Sequence, residues 1–303
     1  MNIAILSANP KLYSTQRLVE AIENNGHTAI VINHTKCSLI MQKGKPSIEY
    51  NGQILSDIDA VIPRIGASVT FFGAAVIRQF ETMKIFTTLS SISLVRSRDK
   101  LRSLQVLSKV GLGIPKSVFA KDPDDDEIKH LISSVGGAPI VLKRLEGTQG
   151  VGVVLAETIK AAKSMIQTFS GMKENIIIQE FIEEADGADI RVLIVDGKII
   201  GSMERKGDED EFRSNLHRGG TARKIELTEK EKRVAIEAAK SLNLKIAGVD
   251  LLRSKRGALI IEVNSSPGIE GIEKTTGLDI ANNIVEYIEH GVKNKKRTKN
   301  KDL

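Results

Sequence analysis

The 303-residue chain has no tryptophan, and its aromatic residues make up only 4% of the total. Proteins that bind single-stranded nucleic acid usually stack bases on aromatic rings, so this scarcity argues against nucleic acid as the main ligand. The single cysteine, Cys37, excludes an internal disulfide and fits a reducing compartment. The sequence also lacks a signal-peptide pattern and any uncharged apolar run near the roughly 18 residues that cross a bilayer. We therefore expect a cytoplasmic protein without a membrane segment.

The net positive charge of the chain is concentrated at its C-terminal end. The whole chain has a net charge of +6, and residues 291–303 hold six Lys and Arg against one Asp. The preceding 290 residues are therefore close to neutral, with a net charge of +1. We predict that 291–303 forms a basic, disordered tail; an anchor for a ribosome or nucleic acid is the alternative, and only this segment suggests a nucleic-acid role.

The rest of the composition, 41% hydrophobic and 27% charged, is that of a folded globular protein. A chain of this length favours two or three compact units. Periodicity predicts a strand at 3–6, a helix at 15–25 and a strand at 28–32, which is the pattern of an α/β layer domain. From similar patterns further along we predict an N-terminal domain at 1–97, a central lobe at 98–183 and a C-terminal lobe at 184–290.

Polar residues alternate with apolar ones in 248–253 and 258–264, which predicts a β-hairpin with one polar face. If residues 255–257 form a three-residue loop, Asp250 lies directly opposite Glu262. Asn264 then lies two residues further along the same face. The reverse face is entirely apolar and supports the same register: Val249, Leu251, Leu259, Ile261 and Val263.

Two carboxylates that face each other repel unless a cation lies between them, and neither Asp250 nor Glu262 has an obvious basic neighbour on its own face. With Asn264 they form an all-oxygen ligand set, which favours Mg²⁺ or Mn²⁺ over zinc. Carboxylates that hold Mg²⁺ commonly share it with nucleotide phosphates. The alternative interpretation is a solvated polar face on an edge hairpin.

A glycine-rich segment, 144–155, follows a predicted strand that ends in Lys143. Its backbone amides, around Gly147 and Gly150, could hold phosphates, and Lys143 would add a cation. The glycine spacing matches neither a Walker loop nor a dinucleotide-binding fingerprint, and a glycine turn that only reverses the chain is as common. A second loop, 204–220, concentrates Arg, Asn and Gly, which suits binding of phosphate or carboxylate.

Taken together, these segments closely resemble ATP-grasp ligases, and the RimK subgroup in particular. The segments that carry the resemblance are Val141-Leu142-Lys143, 146–152, Gln179-Glu180-Phe181-Ile182, Asp189-Ile190-Arg191, 213–220, Gly248-Val249-Asp250 and 262–268. The resemblance implies an α/β (α+β) ATP-grasp fold, with an N-terminal α/β pre-ATP-grasp domain and ATP sandwiched between two α+β lobes. It covers nearly the whole chain except the tail.

The resemblance also implies the roles of individual residues. The implied metal ligands are Asp250, Glu262 and Asn264. They would bind two ions of Mg²⁺ or Mn²⁺. The implied ATP-binding residues are Lys143, Gly147, Gly150, Glu180, Phe181, Asp189, Arg213, Ser214 and Asn215. Arg205, Arg213 and Asn215 are the implied catalytic residues, with Arg205 or Arg213 stabilising an oxyanion. Phe181 stands where the family commonly has a tyrosine, and the Lys-rich end departs from the family.

The implied activity is an ADP-forming carbon–nitrogen ligase that adds L-glutamate to an acidic protein or peptide terminus. RimK acts on a small-subunit ribosomal protein, and we expect a homo-oligomer. Two alternatives stay open: the same chemistry on a carrier protein, a cofactor or free glutamate, and a regulatory ATP-binding protein without catalysis.

Overall fold

The computed structural model describes residues 1–145, 152–208, 214 and 219–299 of the chain. The first part of the chain alternates strands and helices, as predicted. In chain order its elements are β1 (Asn2–Ser7), α1 (Tyr13–Asn24), β2 (Thr28–Ile32), β3 (Cys37–Ile40), β4 (Ser47–Tyr50), β5 (Gln53–Ile54), β6 (Ala60–Arg64), α2 (Thr70–Thr82), β7 (Phe86–Thr87) and α3 (Ser91–Arg98).

The N-terminal sheet is parallel, with the strand order β2-β1-β6-β7. Residues 3–6 of β1 are fully buried, as expected for a parallel strand that is covered on both faces. The register places Ser7 beside Arg64, so the carboxyl ends of β1 and β6 meet at one edge. The small antiparallel sheet of β3, β4 and β5 was not predicted, because these short strands carry little alternation of apolar and polar residues.

The central lobe is a four-stranded antiparallel sheet covered by two helices. Asp124 accepts hydrogen bonds from two helical amides and Glu127 closes a capping box, so the acidic run opens a helix as predicted. The elements are α4 (Lys100–Lys109), β8 (Ser117–Val118), α5 (Asp125–Ser134), β9 (Ile140–Arg144), β10 (Val153–Ala156), α6 (Ile159–Gly171) and β11 (Ile176–Glu180), with the sheet order β10-β9-β11-β8.

The C-terminal lobe is built on a five-stranded antiparallel sheet in the order β14-β13-β12-β15-β16. Asp196 and Gly197 both have positive φ and form the predicted two-residue turn between the first two strands. The elements are β12 (Ala188–Val195), β13 (Lys198–Lys206), β14 (Thr221–Lys224), α7 (Glu229–Ser241), β15 (Ile246–Ser254), β16 (Gly257–Asn264), α8 (Glu270–Thr276) and α9 (Ile280–Lys299).

The predicted three-residue loop of the β15–β16 hairpin is wrong. Ser254 pairs with Gly257, so only Lys255 and Arg256 form the turn. On its own this change would shift the register by one residue and move Glu262 away from Asp250. A β-bulge between Asp250 and Leu251 restores the predicted pairing of Asp250 with Glu262. The juxtaposition of the two carboxylates is therefore confirmed, but through a shorter turn and a compensating bulge.

The C-terminal lobe also contacts the chain that enters the central lobe. The Ile260 amide donates a hydrogen bond to the Gly113 carbonyl oxygen at 2.8 Å. A Cβ atom at Gly113 would lie 2.8 Å from the Ala258 carbonyl oxygen, so only glycine permits this approach. The segment before β8 is thereby fixed against β16, the strand that carries Glu262.

The last helix differs from the prediction for the C-terminal end. We predicted a disordered tail from residue 291, whereas α9 continues to Lys299 and Val292 is buried. The helix packs on α1 and β7, and a Cβ atom at Gly291 would overlap the ring of Phe86. The start of the basic segment is therefore part of the folded protein. None of the described helices is long and apolar enough to span a membrane.

Gly291→Ala should destabilise the protein. The added methyl group must displace the Phe86 ring, and such overpacking costs about 1–3 kcal/mol in the free energy of unfolding. Denaturant titration measures this change in the free energy of unfolding. Gly171→Ala is the matched control, since Gly171 also lies in a helix but a Cβ atom placed there would meet no heavy atom within 4 Å. That control should keep or slightly raise stability, and equal effects of the two substitutions would contradict the packing of α9 on β7.

Candidate active site

Charged residues form a row across the C-terminal sheet. Arg205 on β13 pairs with Asp189 on β12, and Arg191 on β12 pairs with Asp250 on β15. Asp250 in turn faces Glu262 on β16. Directly opposed residues point to the same side of a sheet, so the register alone brings these five side chains together. Every carboxylate of the row except Glu262 faces an arginine.

Asp250 is neutralised by two arginines. Its Oδ1 accepts from Arg191 Nε at 2.8 Å and its Oδ2 from Arg191 Nη2 at 2.7 Å, while Arg205 Nη2 lies 3.0 Å from Oδ2. Burial disfavours the charged form, but the charges and hydrogen bonds of Arg191 and Arg205 outweigh it and lower the pKa of Asp250 to about 2. The expectation that neither carboxylate has a basic neighbour is thus wrong for Asp250.

Arg205 links Asp189 to Asp250. Arg205 Nε donates to Asp189 Oδ1 at 2.7 Å, and both side chains are almost completely buried. The Ser214 hydroxyl also hydrogen-bonds Asp189. The guanidinium of Arg205 already binds two carboxylates, those of Asp189 and Asp250. This favours a role for Arg205 in positioning them over direct contact with a reacting atom.

Lys143 approaches the same place from another lobe. It lies at the end of β9, and the charges of Glu262 and Asp250 both act on it. Burial nevertheless lowers the pKa of Lys143 to about 8, with Lys100 adding to the effect. Lys100 Nζ donates to the Leu145 carbonyl oxygen at 2.8 Å, at the point where the glycine-rich segment begins. Lys143 of the central lobe, with Lys100 near it, therefore lies within electrostatic range of the carboxylates of the C-terminal lobe.

Glu262 and Asn264 have the donor chemistry for a hard cation. Glu262 is exposed, and in 1–145, 152–208, 214 and 219–299 its carboxylate has no hydrogen-bond or ion-pair partner. Asn264 Oδ1 accepts from the Ser266 amide at 3.0 Å. Arg191 and Arg205 already occupy part of the Asp250 carboxylate. A cation shared with Glu262 can therefore bind Asp250 only through the oxygen lone pairs that the two arginines leave free. Two carboxylates and an amide suit Mg²⁺, and the described residues include no cluster of three His, Cys, Asp or Glu that could hold another metal.

Glu180 and Phe181 lie where the two lobes meet. The Glu180 carboxylate accepts from the Lys116 amide and forms an ion pair with Arg256, in the turn of the β15–β16 hairpin. The Lys255 amide donates to Glu184 Oε1 at 2.9 Å. Phe181 follows Glu180 and is half-buried. The acidic strand exit thus holds the tip of the hairpin.

The remaining predicted site residues divide into two groups. Ser214 is described and lies beside Asp189, whereas Gly147, Gly150, Arg213 and Asn215 lie outside the described residues. Arg191 was quoted only as part of the family resemblance and was given no role. The sequence could have indicated that Arg191 belongs to the site, because Asp189 and Arg191 are two residues apart on a strand and so share one face.

Comparison with known proteins identifies the family. The RimK pre-ATP-grasp domain matches residues 1–94, and the RimK-like ATP-grasp domain matches residues 97–288. The chain belongs to the RimK-like ATP-grasp family. A probable alpha-L-glutamate ligase of Chromohalobacter salexigens is 58% identical over 95% of both chains. One of Vibrio cholerae is 56% identical over 99% of this chain and 98% of its own. This RimK-like protein is an enzyme, a carbon–nitrogen ligase, as the resemblance implied.

Solved structures show the same fold. The ATP-grasp ligase PsnB, complexed with a minimal precursor, Mg and ADP, superposes with a TM-score of 0.74 at 18% identity and covers 96% of this chain and 98% of its own. D-alanine–D-alanine ligase from Bacillus anthracis, complexed with ATP, superposes with a TM-score of 0.70 at 19% identity and covers 98% and 99%. At this level of identity the likeness confirms the predicted ATP-grasp fold of the RimK-like chain and nothing finer.

Arg191→Ala should destabilise the protein by about 2 kcal/mol or more, because it removes a bidentate partner from a buried carboxylate. Arg223→Ala is the matched control: Arg223 also faces a carboxylate, Glu204, across the same sheet, but its side chain is 72% exposed. The control should lose less than about 1 kcal/mol. Denaturant titration measures the free energy of unfolding of both variants. Equal losses of stability would contradict the central role of the Arg191–Asp250 pair.

Proposed function

We propose that this protein uses Mg²⁺-ATP to join L-glutamate, through an amide bond, to the terminal carboxylate of an acidic protein or peptide. One observation carries the proposal: the charges of Asp250 and Glu262, paired in the C-terminal lobe, act on Lys143 of the central lobe, which suits phosphates and a cation bound between them. The PsnB and D-alanine–D-alanine ligase structures hold ADP with Mg and ATP, respectively.

Phosphate and metal binding divide between the two lobes. Lys143, beside Lys100, would pair with the phosphates, and a bound polyphosphate would restore the charge that burial disfavours on Lys143. Glu262, Asn264 and the open lone pairs of Asp250 would hold Mg²⁺ or Mn²⁺, and we propose two ions. When bound, the metal offsets the negative charge of the phosphates. Glu180 and Phe181 are proposed to contact the nucleoside.

The proposed reaction has two displacements. A carboxylate oxygen of the acceptor attacks the γ-phosphorus of ATP and ADP leaves, which gives an acyl phosphate. The glutamate amine then attacks the acyl carbon, inorganic phosphate leaves and the amine loses its proton. The chain contributes position and charge: Arg191 and Arg205 fix the carboxylates of the site, and Arg213 and Asn215 are proposed to contact the reacting groups.

Glutamate and a peptide acceptor are the proposed substrates. The relatives of 56–58% identity are named probable alpha-L-glutamate ligases, and PsnB is complexed with a precursor peptide. We propose a small-subunit ribosomal protein as acceptor and a homo-oligomer as the assembly. Incubation with Mg²⁺, ATP, L-glutamate and ribosomal proteins should release ADP and give mass increments of one glutamyl unit. ADP release without any mass increment would favour another acceptor, and the absence of both would contradict the ligase proposal.

Glu262→Gln should lower the rate of glutamate ligation about 100-fold or more, because it removes a negative ligand from the metal. Mass spectrometry of the acceptor and ADP release measure the rate at saturating Mg²⁺. Glu286→Gln, an exposed carboxylate on α9, is the control and should keep wild-type activity. Undiminished turnover of the Glu262 variant would exclude this residue as a metal ligand.

Nucleotide affinity should fall as the pH rises through about 8, because only the charged form of Lys143 attracts phosphate. The folded protein holds the pKa of Lys143 below its ordinary value, so the amine is charged below pH 8 and mostly neutral about one unit above it. The dissociation constant of ADP at fixed Mg²⁺, measured by calorimetry, should therefore rise about tenfold per pH unit above 8.

Lys143→Arg tests the assignment of this inflection. A guanidinium stays charged across the whole range, so the inflection near pH 8 should disappear while binding persists. An unchanged inflection in the variant would show that another group causes it.

A further inference from the structure

Arg64 lies at a position in the N-terminal sheet where α/β proteins bind ligands. It ends β6, and its register partner on β1 is Ser7. From β1 the chain proceeds through α1 to β2 on one side, whereas β6 lies on the other side of β1. The carboxyl ends of β1 and β6 therefore border a topological switch point, the crevice in which open α/β sheets hold their ligands.

The Arg64 side chain is free of partners among the residues that the structure describes. In the described part of the chain it makes no hydrogen bond and no ion pair, although it is half-buried. Arg98 lies beside it: Arg98 Nη2 donates to the Ile65 carbonyl oxygen at 2.6 Å, and Arg98 Nε is buried without a partner. Burial and the charge of Arg98 lower the pKa of Arg64 to about 10, so it still carries its charge at neutral pH. Two adjacent, poorly hydrated cations are unfavourable unless an anion binds them.

Arg98 connects this pair to the proposed reaction centre. Helix α3, which ends at Arg98, contacts β16, and the charge of Glu262 acts on both Arg98 and Lys143. Arg98 and Lys143 thus approach Glu262 from different parts of the fold. Lys143 is proposed to bind the phosphates of ATP. The side of Glu262 that Arg98 approaches is therefore available to the second substrate.

We propose that Arg64 and Arg98 form the subsite that binds a substrate carboxylate and holds it beside Glu262. Guanidinium groups match the planar geometry of a carboxylate and can bind it through two parallel hydrogen bonds. The inference rests on the proposed function and deepens it. The carboxylate belongs either to the incoming L-glutamate or to an acidic side chain of the acceptor.

Arg64→Met should raise the KM for one of the two carboxylate substrates about 30-fold or more, because a buried charged hydrogen-bonding partner is lost. The KM for ATP should change by no more than about twofold. Arg64→Lys should restore part of the affinity. Arg78→Met, an exposed arginine on α2, is the control and should leave all three constants unchanged. Unchanged carboxylate KM values in Arg64→Met, or an equal rise in the KM for ATP, would overturn the proposal.

Substrate analogues distinguish the two sources. If the pair binds the γ-carboxylate of glutamate, L-glutamine should be a poor substrate for the wild type, and Arg64→Met should lose the preference for glutamate. If it binds the α-carboxylate, the α-amide of glutamate should show this pattern instead. If it binds the acceptor, only the KM for an acceptor peptide should rise, and replacing its acidic side chains by Gln should reproduce the rise in the wild type. Equal discrimination by wild type and variant against all three analogues would overturn the proposal.

Stability separates binding from a structural role. Because Arg64 has no partner among the described residues and lies beside another cation, Arg64→Met should unfold at the same or a higher denaturant concentration. A clear loss of stability would overturn the assignment. Should the wild type form no glutamyl amide, the proposed function fails, and the subsite is then tested by calorimetric binding of L-glutamate in the presence of Mg²⁺ and ADP. The same measurement is made with an acidic acceptor peptide. Weaker binding of either ligand by Arg64→Met than by Arg78→Met supports the subsite, and equal or absent binding of both ligands overturns it.

Discussion

The candidate active site depends on the neutralisation of Asp250. A carboxylate that is almost completely buried would be protonated or would destabilise the fold without a cation, and here Arg191 and Arg205 keep it ionised. Both arginines come from neighbouring strands of the same sheet, so backbone pairing sets their distance to the carboxylate. The pairing also fixes the orientation of Asp189, through Arg205. A rigid sheet thereby holds the charged groups in place before any substrate binds.

Much of this arrangement follows from the sequence because strands have a period of two. The alternation in β15 and β16 predicted the facing carboxylates, and the Asp196-Gly197 turn predicted the hairpin before them. The register could not be derived from the turn, because Gly257 begins β16 instead of closing a three-residue loop and a bulge then compensates. Local sequence does not encode such compensation; the burial of the apolar face enforces it.

Contacts between distant segments were not predictable in the same way. Arg191 pairs with Asp250 across 59 positions of sequence, and the charge of Glu262 acts on Lys143 from a different lobe. Pattern analysis gives the face of a strand but not its neighbour in the sheet, so Asp250 was wrongly left without a basic partner. The extension of α9 past residue 290 was missed for a related reason: composition indicated a charged tail, whereas burial of Val292 and the contact of Gly291 with Phe86 keep it helical.

The cations around the site fall into two physical classes. Arg191 and Arg205 are paired with carboxylates of the chain and contribute to stability as well as to geometry. Arg64 and Lys143 carry pKa values lowered by burial, so the fold holds their charges at an energetic cost that the described residues do not fully offset. Such a cost persists in a protein when ligands of opposite charge relieve it. The paired cations therefore fix the framework, and those without an ion-pair partner among the described residues, contributed by two different lobes, are the ones proposed to bind negatively charged substrates near Glu262.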